Sequence, residues 1–156
     1  MAPVPVIAVV AVAVTVVVHA YGLSLLLPML GRARRTPPTK HWPITWLLVR
    51  LACLLILLHV IEIALWALLY LGENCLADAE TAIYFSGVTY TTLGYGDVVL
   101  PEPWRMLAPV QALTGILMCG LSAGVFFATV NRIYTSSWGE GQASGDRSGS
   151  PSDPSP

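Results

Sequence analysis

Charge is what this chain has least of. Lys, Arg, Asp and Glu together make up 11% of its 156 residues, against about 25% in ordinary soluble domains. That scarcity excludes a disordered chain and argues against a soluble enzyme. A basic excess is missing too. The formal net charge is −1, so no electrostatic footprint recommends nucleic acid as a partner. Cysteines number three, at 53, 75 and 119, with neither the spacing of paired metal ligands nor the density of a disulfide scaffold. No nucleophile–base pair stands out, so the chain is not expected to be an enzyme.

What is present is apolar. Hydrophobic residues reach 55% and the mean hydropathy is +0.68. Three long runs carry it: residues 4–30, 44–71 and 106–130. The first has no charged side chain before Arg32, with His19 its one histidine; the second is interrupted by Arg50, His59 and Glu62; the third is free of charge. Each reaches the roughly 20 apolar residues that a spanning helix needs. Valine-rich stretches such as 9–18 would suggest strands in water. In lipid they suggest helix, because a helix satisfies its own backbone. A cleaved signal peptide would show a basic start and an apolar core of roughly 7–15 residues. Residues 1–5 carry no base and the run is far longer, so the first helix is expected to be retained.

Charge then orients the chain. Residues 31–42 hold Arg32, Arg34, Arg35 and Lys40 and no acid, a strong mark of a cytoplasmic loop. The N-terminus is therefore expected outside and the C-terminus in the cytoplasm of a multi-pass cell-membrane protein. Residues 72–103 are then external. They hold Glu73, Asp78, Glu80, Asp97 and Glu102, and the next base is Arg105. Five acids against one base leave a net −4 per chain, which concentrates cations. Trp42, Trp46, Trp66, Tyr70, Trp104, Tyr134 and Trp138 suit the two interfaces. The tail 135–156, rich in Ser, Gly and Pro, is expected to be disordered.

Between the second and third runs lies the segment that carries the chemistry. Asp78 is a plausible N-cap. Residues 79–91 can form a helix of about 20 Å, too short to span. It ends in Thr91-Thr92-Leu93-Gly94-Tyr95-Gly96-Asp97. A short helix and a glycine-rich run between two spanning helices read as a re-entrant loop. Such backbone is tolerated at membrane depth only inside protein or along a water path.

That heptapeptide resembles the T-V-G-Y-G-D signature of the potassium channel superfamily. The order of helix, pore helix, filter and helix resembles the small prokaryotic pore-loop channels of the two-transmembrane ion channel domain type. The likeness covers roughly 44–133. It implies an all-α membrane fold with residues 43–134 as pore domain, residues 1–42 being an extra spanning helix with its basic loop. It also implies passive K+ conduction by a homotetramer in lipid, with no cofactor beyond the permeant K+. The filter carbonyls of Thr92, Leu93, Gly94 and Tyr95, with the Thr92 hydroxyl, would hold the ion. Gly96 would complete the filter, Thr91 and Asp97 would support it at the outer mouth, and Tyr95 would pack outward. A cation channel of relaxed selectivity and a non-conducting subunit are the alternatives.

Two departures stand out. Leu93 replaces the commoner Val, with its side chain expected to face away from the ion. Val88 stands where some relatives carry a Glu that bonds the residue at Asp97, so that bond is unavailable here. In the family a glycine of the last helix acts as a gating hinge. Gly115 and Gly120 are the candidates, against simple close packing of Gly120-x-x-x-Gly124. Pro109 is expected to kink that helix at its outer end. Arg50 is placed to snorkel. His59 and Glu62, three apart near mid-helix, share a face and form a candidate intramembrane polar pair whose protonation would bias the pore-lining helix. Cys75, external, would pair only with another chain or stay free.

Overall fold

The structure is a computed structural model that describes the backbone of residues 3–33 and 41–147 and the side chains of 3–26 and 44–131. All three apolar runs are helices: α1 (Val4–Ala33), α2 (His41–Gly72) and α4 (Leu107–Arg147). Between the last two lie the short helix α3 (Ala79–Tyr90) and a single 3-10 turn, Trp104–Met106. The described residues contain no strand. Val4–Leu26, Ile44–Gly72 and Trp104–Asn131 are long and apolar enough to cross a membrane. Of the basic loop, residues 34–40 lie outside the described residues, as do the side chains of Arg32 and of the C-terminal segment.

The helix ends have local causes. After Gly72, α2 stops in a Schellman arrangement. Asn74 takes the left-handed conformation at φ 56, its N–H bonds Leu71 O at 3.0 Å, and the Cys75 N–H reaches back to Tyr70 O at 2.8 Å. Asparagine tolerates that conformation better than other non-glycine residues. The accompanying apolar contact sets Cys75 against Tyr70 in a core cluster with Trp66, Phe85, Leu100 and Leu107. Cys75 is therefore buried, and within the chain it makes no disulfide. Burial raises its thiol pKa, with Glu73 adding to the effect.

Two expectations change at α4. It runs on to Arg147, so the first half of the tail that composition marks as disordered is helical. No proline intervenes between Pro109 and Pro151, and extending a formed helix adds one hydrogen bond per residue fixed. Pro109 is the third residue of α4, in a first turn where a missing N–H costs little, and no kink is required of it.

α3 packs between α2 and α4, while α1 lies along both α2 and α4. Apolar clusters close the two ends. Trp66, Tyr70 and Phe85 form the one beside α3, with Tyr70 and Phe85 edge to face at 5.3 Å. Leu26, Leu51 and Leu55, with Leu23 and Phe126 against them, form the other. Two glycines set close approaches. A Cβ on Gly22 would stand 2.6 Å from the Leu58 side chain, and one on Gly115 would stand 2.2 Å from the backbone oxygen of Tyr90. Gly115 is thus a packing site where α4 touches the end of α3. Gly120 and Gly124 have nothing within 4 Å of an added Cβ.

A backbone carbonyl cannot rotate out of the way. Gly115→Ala should therefore force α4 off α3 and cost about 1–3 kcal/mol, the usual range for overpacking. Gly72→Ala, with nothing within 4 Å, should cost little. Thermal midpoints of the two variants in detergent check the difference; equal midpoints would mean that the contact is not tight.

Candidate functional site

α3 is anchored at both ends. Asp78, extended at φ −141 and ψ 160, accepts from the Thr81 N–H at 2.8 Å and the Thr81 hydroxyl at 2.8 Å. Those bonds hold its carboxyl below the ordinary aspartate pKa. At the other end the Thr91 hydroxyl donates to Gly87 O at 2.7 Å and the Leu93 N–H to Val88 O at 2.9 Å. The chain then leaves the helix with alternating hand. Thr92 has φ 63, Gly94 φ 54 and Gly96 φ 78, while Leu93 and Tyr95 between them stay outside the positive region. Left-handed conformations at every second residue turn successive carbonyls toward one side, where a β-strand would alternate them. A glycine takes such angles without strain; Thr92 takes one against its preference. Within the single chain the whole run from 91 to 97 is exposed, Leu93 at 59% and Tyr95 at 67%.

Asp97 closes the loop. Its Oδ2 accepts the Tyr84 hydroxyl at 2.6 Å and its Oδ1 accepts the Val98 N–H at 3.1 Å. The tyrosine bond holds the Asp97 carboxyl below its ordinary pKa and pushes the Tyr84 phenol up. Val88 cannot make this bond, as its side chain is apolar. Tyr84, one turn earlier on the same face, makes it instead. The sequence signal was there: a phenol four residues before Val88, and an acid directly after Gly96.

A second set of polar groups fixes α3 sideways, and sequence reasoning missed it. Tyr70 donates to Gln111 Oε1 at 2.7 Å. Gln111 Nε2 donates to Ser86 O at 3.2 Å and Ser86 Oγ at 2.7 Å, and the Ser86 hydroxyl donates to Ile63 O at 2.7 Å. All three side chains are fully buried. The chain of bonds links α2, α3 and α4. An amide one turn into an otherwise apolar helix was its only mark in the sequence.

His59 and Glu62 do meet, at 3.4 Å between Nδ1 and Oε2, but as two members of a larger group. His19 of α1 brings its Nδ1 within 2.8 Å of Glu62 Oε1. Tyr90, the last residue of α3, donates its hydroxyl to Glu62 Oε2 and lies 2.9 Å from His59 Nδ1. On the far side of the His19 ring, Nε2 is 3.4 Å from Ser122 Oγ of α4. Next to it, Trp66 donates to Thr15 at 3.1 Å. Arg50 is exposed near the start of α2. Among the described residues no buried polar side-chain atom is left without a partner.

A short helix held between two spanning helices, followed by a loop of alternating hand, is the architecture of a pore-loop channel. The family model described as ion channel, the two-transmembrane ion channel domain of potassium channel-like type, matches residues 54–132. The chain belongs to that family. It is a multi-pass membrane protein with an ion channel domain, and α1 lies outside the matched residues. No curated protein and no solved structure matches the chain.

Removing the phenol of Tyr84 removes the main cause of Asp97's low pKa. In Tyr84→Phe the Asp97 carboxyl should titrate closer to the ordinary value of about 3.9. A depressed folded-state pKa contributes stability above the unfolded value and loses it as pH falls through the folded value. The wild-type loop should thus hold Asp97 ionised to a lower pH than the variant. Carbon-13 NMR titration of the Asp97 carboxyl checks it; identical midpoints would rule out the bond.

Proposed function

We propose that this protein is a potassium-selective channel that conducts K+ passively down its gradient as a homotetramer. The observation that carries the reading is the alternation at Thr92, Gly94 and Gly96, directly after α3, in a member of an ion channel family. Rings of carbonyl oxygen replace the hydration shell of the ion in such filters. The carbonyls of Thr92, Leu93, Gly94 and Tyr95 and the Thr92 hydroxyl form those rings, and Gly96 and Asp97 end them at the outer mouth. K+ is cargo, not a resident cofactor. One chain supplies one loop, and that loop is bare in the single chain. Irregular backbone at membrane depth needs protein or water around it, which three further copies and a water-filled axis provide. Residues 43–134 make up the pore unit, 1–42 its addition and 135–156 its tail.

In this reading the N-terminus lies outside and the acids at 73, 78, 80, 97 and 102 face the external entrance. Because Cys75 is buried, sidedness is read with Glu80→Cys, an exposed position. A membrane-impermeant thiol reagent should label it from outside intact cells; labelling from the cytoplasmic side alone would reverse the orientation.

Gly94 at φ 54 has open space around it, so Gly94→Ala tests conformation rather than packing. The left-handed region costs a non-glycine residue about 1–2 kcal/mol, applied in each copy. Purified wild-type protein in liposomes should pass K+ and reject Na+. Gly94→Ala should lose K+ flux while keeping its tetramer on size exclusion. Wild-type flux and selectivity in the variant would show that this loop is not the filter. Equal K+ and Na+ flux in the wild type would leave a cation channel of relaxed selectivity.

A further inference from the structure

We propose that His19, His59 and Glu62, closed by the Tyr90 hydroxyl, form a site for a divalent transition metal of the zinc type inside the membrane-spanning part of the chain. The site does not depend on which ion the pore selects.

Chemistry selects the class. Two imidazoles and a carboxylate suit zinc and its first-row neighbours, whereas calcium and magnesium prefer all-oxygen shells. Two histidines with one glutamate and a fourth oxygen are an established zinc donor set. Geometry agrees. One ligand atom from each of the three residues lies within 4.8 Å of the others. A tetrahedral shell with bonds of about 2.1 Å sets its ligands about 3.4 Å apart. His19 Nδ1 is 2.8 Å and His59 Nδ1 3.4 Å from the Glu62 oxygens. His59 already stands at that spacing from Glu62, while His19 has to draw back from it by a few tenths of an ångström to make room for the ion. His59 is 18% exposed, whereas His19 and Glu62 are closed off.

The surroundings are those of a ligand shell. A ligating histidine usually sends its other ring nitrogen to a partner that fixes its orientation. His19 has that partner in Ser122 Oγ at 3.4 Å. Glu62 is wholly buried, and a carboxylate in an apolar interior calls for a positive counterpart. The described side chains around it supply two imidazoles and no Lys or Arg. The four donors stand on three helices, so a bound ion ties α1 to α2 and to the last residue of α3. Tyr90 is two residues before Thr92. Metal occupancy therefore joins the helix outside the family-matched region to the base of the loop.

The test uses the full-length chain in detergent, freed of any affinity tag and stripped with a chelator. Titration with Co2+ should give tetrahedral d–d absorption saturating at one ion per chain, and Zn2+ should displace it. His19→Ala and Glu62→Gln should weaken Co2+ binding by more than about 100-fold, beyond the 10–100-fold typical of losing a partner behind the ligands. Ser122→Ala should show that smaller loss of about 10–100-fold, and it is the variant to read if the ligand variants do not fold. His41→Ala should bind as the wild type does. Absence of saturable binding, thiolate charge-transfer bands that point to the cysteines, or unchanged affinity in the folded variants would overturn the site and leave a network of hydrogen bonds alone.

Discussion

A peptide group outside a helix or sheet must find its hydrogen-bond partner elsewhere. The stretch from Thr91 to Asp97 leaves the helical ladder where α3 ends, so everything around it must hold it in place without satisfying it by secondary structure. Three sets of bonds do this. Thr91 and Leu93 tie the start of the loop to the last turn of α3. Tyr84 and Val98 N–H hold its far end through Asp97. Gln111 and Ser86 keep α3 from rotating between its neighbours. Each bond fixes a direction as well as a distance, which apolar contact cannot do. The loop's own face stays exposed within one chain.

Spanning helices are apolar all round, so hydrophobicity does not say which face meets protein. In this chain small and polar residues carry that information. Thr15, His19, Glu62, Ser86, Gln111 and Ser122 are all buried, and each faces another helix. Their bonds are strong enough to set helix orientation at a cost in desolvation that pairing offsets. The two apolar clusters at the ends of the bundle then fill space around a geometry decided by the middle.

Much of the chain was legible in advance. Run length and the absence of charge marked α1, α2 and α4, and Asp78 with the glycines marked α3 and its loop. The positions where reading failed share a cause: each depends on what lies across the bundle. Gln111 and Ser86 are unremarkable alone and become a bracket only when α3 packs between α2 and α4. The partner of Asp97 was sought at Val88 because a related pattern puts it there, when Tyr84 shared that face. His59 and Glu62 were a pair along one helix; His19 and Tyr90 joined them through folding. Gly115 was named as a hinge candidate, and its close approach to the Tyr90 carbonyl is a contact that the sequence alone did not show. The helical extension of α4 past residue 135 follows from a missing proline, a signal weaker than the Ser and Gly content that argued against it.

The contacts of α1 recur along it every three or four residues: Val4, Ala8, Ala11, Thr15, His19, Gly22 and Leu26. That rhythm stays close to the natural pitch of a straight helix, so α1 can lie flat against its neighbours without winding around them. Its other faces are largely valine and leucine, among them Val9, Val10, Val17 and Leu25, all exposed. Substitution should therefore fall unevenly on this helix. The lipid side can drift among apolar residues with little consequence, while the seam is keyed by size at Gly22 and by chemistry at His19. Inserting one residue between those two would turn half of the helix by about 100° and separate the keys from their locks, although the hydrophobicity of the span would be unchanged.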